Sequence, residues 1–246
     1  MEEKTLEIKT NALIKRYRDV VAVDGVDLEI RSGELFALLG VNGAGKTTMV
    51  KMLSCLTRPT EGDATVGGYS VVQEPEMVKR LIGVSPQETA VALNLSVKEN
   101  LELICGIHGF GKEKTQAKIS ELAKAFDLGE VLKRKAGKLS GGWQRRLSIA
   151  MALISEPKVL FLDEPTLGLD VIARHELWGV IRALRGRVTI ILTTHYMEEA
   201  EALSDRIGIM KNGRLLAVGT AKELTRVAGA ENFEAAFVSI VTEVAR

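Results

Sequence analysis

The 246-residue sequence predicts an α/β fold: a mixed, largely parallel sheet with an N-terminal antiparallel part, interrupted by an inserted helical lobe. Three patterns carry that expectation. Continuous apolar runs of strand length, ELFALLG at 34–40, KVLFLDEP at 158–165 and RVTIILTTH at 187–195, suit strands covered on both faces. Before them, apolar residues alternate with polar ones, as antiparallel strands require. Between residues 88 and 156 the apolar spacing changes to three and four, the period of helices.

In chain order, TLEIKTNALIKRY and VDGVDLEIRSG read as antiparallel strands, broken at Gly25 and at Ser32–Gly33. After the buried run at 34–40 a helix should extend from Lys46 to about Leu56. VKENLELICGI, KTQAKISELAKAFDL and WQRRLSIAMALIS follow as the helices of the lobe. Buried strands then return, and RIGIMKNGRLLAVG at 206–219 contains the hairpin-turn signal KNG. In the tail NFEAAFVSIVTE, residues Phe233, Ala236, Phe237, Ile240 and Val244 share one helical face, expected to dock on the core. Residues 1–246 thus read as a single domain carrying a lobe, not as two independent domains.

Composition narrows the function. Lys plus Arg number 33 against 32 for Asp plus Glu, a net charge of +1. That balance provides no general field for nucleic acid or acidic membrane, so no nucleic-acid partner is expected and phosphate recognition must be local. Cys55 and Cys105 fit neither a metal spacing nor a disulfide framework and read as buried reduced thiols. The start, MEEKTLEIKT, lacks the pattern of a signal peptide. No apolar run approaches the roughly 18 residues of a membrane helix. The expectation is a cytoplasmic chain that meets a membrane only through a partner.

Two stretches carry phosphate chemistry. GVNGAGKTT at 40–48 fits G-x-x-x-x-G-K-[ST], follows a buried strand and opens a helix, the context that motif needs. Its glycines let backbone N–H groups converge on phosphate oxygens at a helix N-terminus. Lys46 would bridge the β- and γ-phosphates, Thr47 would hold Mg²⁺ through its hydroxyl, and Thr48 would add a donor. VLFLDEP at 159–165 would deliver Asp163 to the Mg²⁺ shell and Glu164 beside the γ-phosphate, as general base toward the attacking water.

With LSGG at 139–142 shortly before that Asp-Glu strand end, the chain resembles the ATP-binding cassette ATPases, the motor subunits of ABC transporters, over nearly its whole length. The resemblance implies a P-loop NTPase core, RecA-like with an antiparallel β part, at about 1–87 and 157–230. It implies a helical lobe with the signature motif at about 88–156 and a C-terminal helix at about 231–246. Tyr17 matches the aromatic that stacks on adenine, with Val23 beside it. Gly40, Asn42, Gly43, Ala44 and Gly45 join Lys46, Thr47 and Thr48 around ATP. Gln87 matches the glutamine linking the nucleotide site to the lobe, and joins Thr47 and Asp163 at Mg²⁺. The catalytic set it implies is Glu164, the switch histidine His195, Lys46 and Gln87. Cassettes of this family pair head to tail, so Ser140, Gly141 and Gly142, with Asp170 of the LGLD loop, would complete the site of a second cassette, identical or related. The helix N-terminus and its glycines suit a close approach to the γ-phosphate. Trp143 departs from the glutamine common at the fifth signature position, and Leu167 from the small residue many relatives have before GLD. His108 and His175 have no such context and are given no role.

The segment TRPTEGDATVGGYSVVQEPEMVKRLIGVSPQE, the next stretch LNLSVKENLELICGIHG and the tail helix resemble those of ABC-2 type exporters of drugs, lipids and polysaccharides. An importer ATPase, and an ABC ATPase acting on nucleic acid or ribosomes, are the alternatives. The expected partner is a transmembrane permease subunit on a separate chain, with this protein at the cytoplasmic face of the cell membrane. Docking is expected near Gln87, on exposed apolar residues of ETAVALNLS such as Val91 and Leu93.

Overall fold

The computed structural model describes residues 5–243. Strands β1 (Leu6–Tyr17) and β2 (Val20–Arg31) pair antiparallel, and β3 (Leu35–Gly40) leaves them for a second sheet. Helix α1 (Lys46–Leu53) follows the glycine-rich turn. β4 (Glu61–Val66) returns to pair with β1, and β5 (Tyr69–Ser70) closes a four-stranded antiparallel sheet in the order β2-β1-β4-β5. After α2 (Pro75–Leu81) and β6 (Ile82–Ser85) the chain becomes helical: α3 (Val97–Ile107), α4 (Lys112–Ala125) and α5 (Gly141–Ala152). β7 (Val159–Asp163), α6 (Val171–Leu184), β8 (Thr189–Thr194), α7 (Met197–Leu203) and β9 (Arg206–Lys211) alternate. β10 (Arg214–Gly219), α8 (Ala221–Val227) and α9 (Phe233–Glu243) end the described chain.

The second sheet has the order β10-β9-β3-β8-β7-β6 and is parallel except for β10. The expected antiparallel part is therefore a separate sheet. Every residue of β3, β7 and β8 is buried, because helices and the other sheet cover both faces. Side-chain alternation sends Phe36, Leu38 and Phe161 toward α1 and the antiparallel sheet, where they meet Met49 and Ile30. Leu160, Leu162, Ile190 and Leu192 point the other way and share one core with Leu101 of α3, Leu122 of α4, Leu147 of α5 and Leu177 of α6. The helical segment therefore packs on the sheet rather than around a core of its own.

Register fixes what comes next. Leu39 pairs with Thr194 and Asp163 with Thr193, so β3, β8 and β7 end at one edge of the sheet. The crevice outside the carboxyl ends of parallel strands is where α/β folds bind ligands.

Two expectations need adjusting. Helix α1 stops at Leu53, short of Leu56, because Cys55 takes a left-handed φ of 57° and the Leu56 N–H turns back to the Lys51 carbonyl. The segment between α1 and the lobe, read only by resemblance, holds β4, β5, α2 and β6, each too short for a clear period. Both thiols are free, Cys105 buried and Cys55 half-buried. Among the described residues, no helix is long and apolar enough to cross a membrane.

Helix α9 lays Phe233 and Ala236 against Leu39, Ile207 and Leu224, with Phe237 and Ile240 partly covered. Val244, the last residue expected on that face, lies outside the described residues. Phe233→Ala should lower unfolding stability by about 3–5 kcal/mol, the usual cost of emptying a buried Phe site. Urea denaturation measures it, and a change below about 1 kcal/mol would show that α9 is not held by this face.

Candidate functional site

The turn between β3 and α1 is shaped by backbone conformations that only glycine adopts freely. Gly43 and Gly45 have φ of 80° and 103°, and a Cβ on Gly45 would come within 2.4 Å of the Ala22 carbonyl oxygen. No side chain caps α1, so its first N–H groups face the crevice. Lys46 is 5% exposed. Its Nζ donates to the carbonyl oxygens of Gly40 at 2.8 Å and Val41 at 3.2 Å, and lies 3.6 Å from Glu164 Oε1. Burial pushes the Lys46 ammonium below its ordinary pKa, while Glu164 and Asp163 pull it back up.

At the end of β7, Asp163 Oδ1 accepts from the Thr47 hydroxyl at 3.2 Å and from the Thr193 hydroxyl. Glu164 turns left-handed, with φ of 46°. Its N–H donates to both the carbonyl oxygen and the hydroxyl of Thr193, at 3.1 and 3.0 Å, bonds that hold a conformation unfavourable for a non-glycine residue. The carboxylate, 8% exposed with its residue, meets three groups. Lys46 and His195 Nδ1 lie 3.6 and 3.3 Å from Oε1, and Gln87 Nε2 donates to Oε2 at 3.4 Å. The Thr47 hydroxyl and Asp163 carboxylate are hard oxygen donors of the kind Mg²⁺ takes, few enough to leave room for substrate oxygens and water. Among the described residues there is no cluster of three or more His, Cys, Asp or Glu suited to hold a metal unaided.

These groups line a cavity of about 710 Å³ that includes Tyr17, Asn42 through Thr48, Gln87, Glu164 and His195. Asp163 reaches it through Thr47, and Gly40 lies beneath, its carbonyl taken by Lys46. Val23 is wholly buried in the core, so the expectation of a Val23 side chain beside the nucleotide is corrected. A bulge in β2, where Arg16 pairs with Val21 but Lys15 with Val23, breaks the alternation there, leaving Val20, Val21 and Ala22 on the cavity wall and Val23 in the core. Ser140, Gly141, Gly142 and Asp170 are not on that wall. Ser140 is the N-cap of α5 and makes no side-chain capping bond, while a Cβ on Gly142 would lie 3.3 Å from Ala173. Asp170 caps α6, accepting from the Ala173 N–H at 2.9 Å. Gly141 and Gly142 thus lie beside Leu169 of the LGLD loop and Ala173 of α6, off the cavity wall.

Some contributors were missed. Thr193 connects Asp163 to Glu164, and its signal was present in the TT that precedes His195. Asn212, read only as part of a turn, lines the cavity because the β9–β10 hairpin braces the phosphate loop: the Gly213 N–H donates to the Ala44 carbonyl at 3.0 Å. Leu167 lies at the cavity mouth, and Trp143 packs on its own lobe, with the Arg146 guanidinium 4.9 Å from the ring centroid. Val91, expected at an exposed docking groove, is 8% exposed and belongs to the helical core. Asn100 holds the neighbouring Ala92 by both its N–H and its carbonyl and draws that loop inward, whereas Leu93 stays exposed. A larger cavity of about 860 Å³ borders His195 and Tyr196 beside α7, α8 and α9 but contains none of the phosphate-loop residues.

Residues 23–167 match the family model described as ABC transporter. The daunorubicin resistance ATP-binding protein DrrA3 of Streptomyces coeruleorubidus is 44% identical over 221 residues, covering 89% of this chain and 70% of that protein. A solved ATP binding subunit of an ABC transporter superposes with a TM-score of 0.84 at 28% identity, over 96% of this chain and 99% of the other. The bacterial ABC transporter cassette MJ0796, whose structure is described as dimeric, gives a TM-score of 0.78 at 27% identity, over 87% and 98% of the two chains.

Behind His195, the fully buried Glu199 of α7 accepts from the Trp178 indole N–H at 3.1 Å. Burial pushes its carboxyl pKa up, against the pull of the Thr194, Thr166 and Trp178 donors and of Arg174. A raised folded pKa means that the folded protein keeps this proton where the unfolded chain loses it, so the group's contribution to stability falls as pH rises. Wild type should therefore lose stability relative to Glu199→Gln as pH increases above the ordinary carboxylate range. Parallel denaturation series across pH measure the difference, and a pH-independent gap would refute it.

Proposed function

The chain belongs to the ABC transporter family, as an ATP-binding cassette with ATPase activity, and from that premise we propose that it powers an exporter from the cytoplasmic face of the cell membrane. The observation that carries the site assignment is the convergence of Lys46, Thr47–Asp163 and the Gln87–Glu164–His195 cluster on one cavity beside an uncapped helix N-terminus.

In this reading the backbone N–H groups of residues 42–48 and the Lys46 ammonium bind the phosphates, and Tyr17, 45% exposed at the cavity edge, offers its ring to the adenine. Thr47 and Asp163, with Gln87 nearby, would hold Mg²⁺, which neutralises charge on the β- and γ-phosphate oxygens when bound. Glu164 Oε1 or Oε2 takes the proton of the attacking water. His195 and Lys46, both near Oε1, hold the carboxylate in place. Thr193 fixes the two acids relative to each other.

A second cassette, identical or related, would present its own Ser140–Gly142 helix end to the γ-phosphate. Two observations support this. Ser140, Gly141 and Gly142 do not line the cavity of their own chain's phosphate loop, and Ser140 leaves the end of α5 uncapped. Hydrolysis then removes the charge that joins the halves. The cargo path belongs to a permease on another chain. Export, of small molecules in particular, is supported by the relative named for daunorubicin resistance.

Glu164→Gln should still bind MgATP while turning over about 10²–10⁴-fold more slowly, the range a general base contributes. Lys46→Ala should lose nucleotide binding itself. With ATP, Glu164→Gln should elute as a dimer on size exclusion and return to monomer when Ser140→Arg is added. Wild-type turnover in Glu164→Gln would remove the base assignment, and a dimer indifferent to Ser140→Arg would remove the composite site.

A further inference from the structure

Arg145 lies one turn into α5, on the helix that opens with Gly141 and Gly142. It is 5% exposed, yet among the described residues it forms no ion pair within 4 Å. Instead it reaches across to the segment after β6. Its Nη1 donates to the Pro86 carbonyl and its Nη2 to the Gln87 carbonyl, each at 2.6 Å. One planar fork thus grips two consecutive carbonyls, a geometry that a lysine ammonium cannot reproduce. Burial depresses the guanidinium's pKa, with Asp163 and Glu199 acting against it. A side chain needed only to fill space would be apolar, because desolvating a charge costs free energy.

The next turn of α5 adds a second tie, the buried Ser148 hydroxyl 2.9 Å from that of Ser85. Ser85, Pro86 and Gln87 are therefore all attached to the same helix. Past that attachment, the exposed Gln87 reaches Glu164 Oε2 through Nε2. Neighbouring packing holds little of this side chain, so its position depends on where its backbone is fixed.

We propose that Arg145 is a positioning residue: its fork on the Pro86 and Gln87 carbonyls holds the Gln87 carboxamide within reach of Glu164 and ties that reach to the orientation of α5, whose N-terminus is the Ser140–Gly142 segment. The proposal rests on the reading of Gln87 and Glu164 as parts of an ATPase site and names a residue that acts through them.

The test is a double-mutant cycle on the full chain: steady-state ATPase of wild type, Arg145→Met, Gln87→Ala and the double variant, with Arg145→Lys beside them. Arg145→Met should lower kcat about tenfold or more while KM for ATP stays within about twofold, since no cavity residue is removed. The double variant should be no slower than Gln87→Ala alone, because the arginine works through the glutamine. Arg145→Lys, able to hold one carbonyl but not both, should fall between wild type and Arg145→Met. Additive losses overturn the proposal, as does an Arg145→Met protein with lowered Tm but wild-type kcat. If Arg145→Met does not fold, the same cycle with Arg145→Lys decides by the same criterion. A wild type without ATPase activity would overturn the underlying reading, whereas wild-type activity with additive losses would overturn the role of Arg145 alone.

Discussion

An ammonium group withdrawn from water has to find its counter-charge and acceptors where it lies, and in this protein that requirement fixes the geometry around it. Lys46 is buried against two carbonyl oxygens of its own loop and the carboxylate of Glu164. The two partners are more than a hundred residues apart in sequence. Their meeting depends on the strand order, in which β8 lies between β3 and β7 and all three end at the same edge. β8 also contributes Thr193, and the residue after its last is His195. Replacing β8 by a strand in another register would separate the acids from each other as well as from the lysine.

The parts of this arrangement that could be read in the sequence are those written locally. The phosphate loop declares itself within nine residues, because the turn, the lysine and the helix start are all determined by neighbours in sequence. The strands buried on both faces were equally legible, since polar residues stand only at their ends and the runs between them are apolar. Legibility fails where the answer is set across space. Val23 and Val21 are the same residue type two positions apart on one strand, and only the bulge between them in the pairing with β1 decides which meets the cavity and which the core. Val91 looked like a surface residue in a polar stretch until Asn100, eight positions beyond Ala92, clasped the loop. Asn212 belongs to a hairpin whose sequence announces only a turn, and its place at the site comes from the hydrogen bond between Gly213 and Ala44.

Backbone strain is placed consistently with this. Glu164 adopts a left-handed φ next to the last residue of a fully buried strand, where two bonds from its N–H to Thr193 enforce it. The turn points the carboxylate out of the sheet and back toward Lys46, Gln87 and His195. An extended residue at that point would continue the strand and carry its side chain into one of the two cores. The cost of the conformation, of order 1–3 kcal/mol, is offset by the rigidity of β7 and β8 on either side. Function here occupies the position where the sheet ends.

Helix α5 then becomes the element through which the two halves of the chain can affect each other. Arg146 ties it to Asp127 and to Glu176 of α6, and Trp143 packs over that same guanidinium. Its opposite face is tied to β6 and the residues after it through Ser148 and Arg145. A helix fixed on two sides moves as a rod, so a force applied at Ser140 is not dissipated within it. In a composite site that force would come from a phosphate bound by the other cassette. The first groups beyond the rod are the Pro86 and Gln87 carbonyls, and the next is Glu164 itself. Trp143 strengthens the rod without entering this path. A substitution at the fifth signature position can therefore leave the route from helix end to Glu164 intact, provided that the glycines before it and the arginine two residues after it are kept.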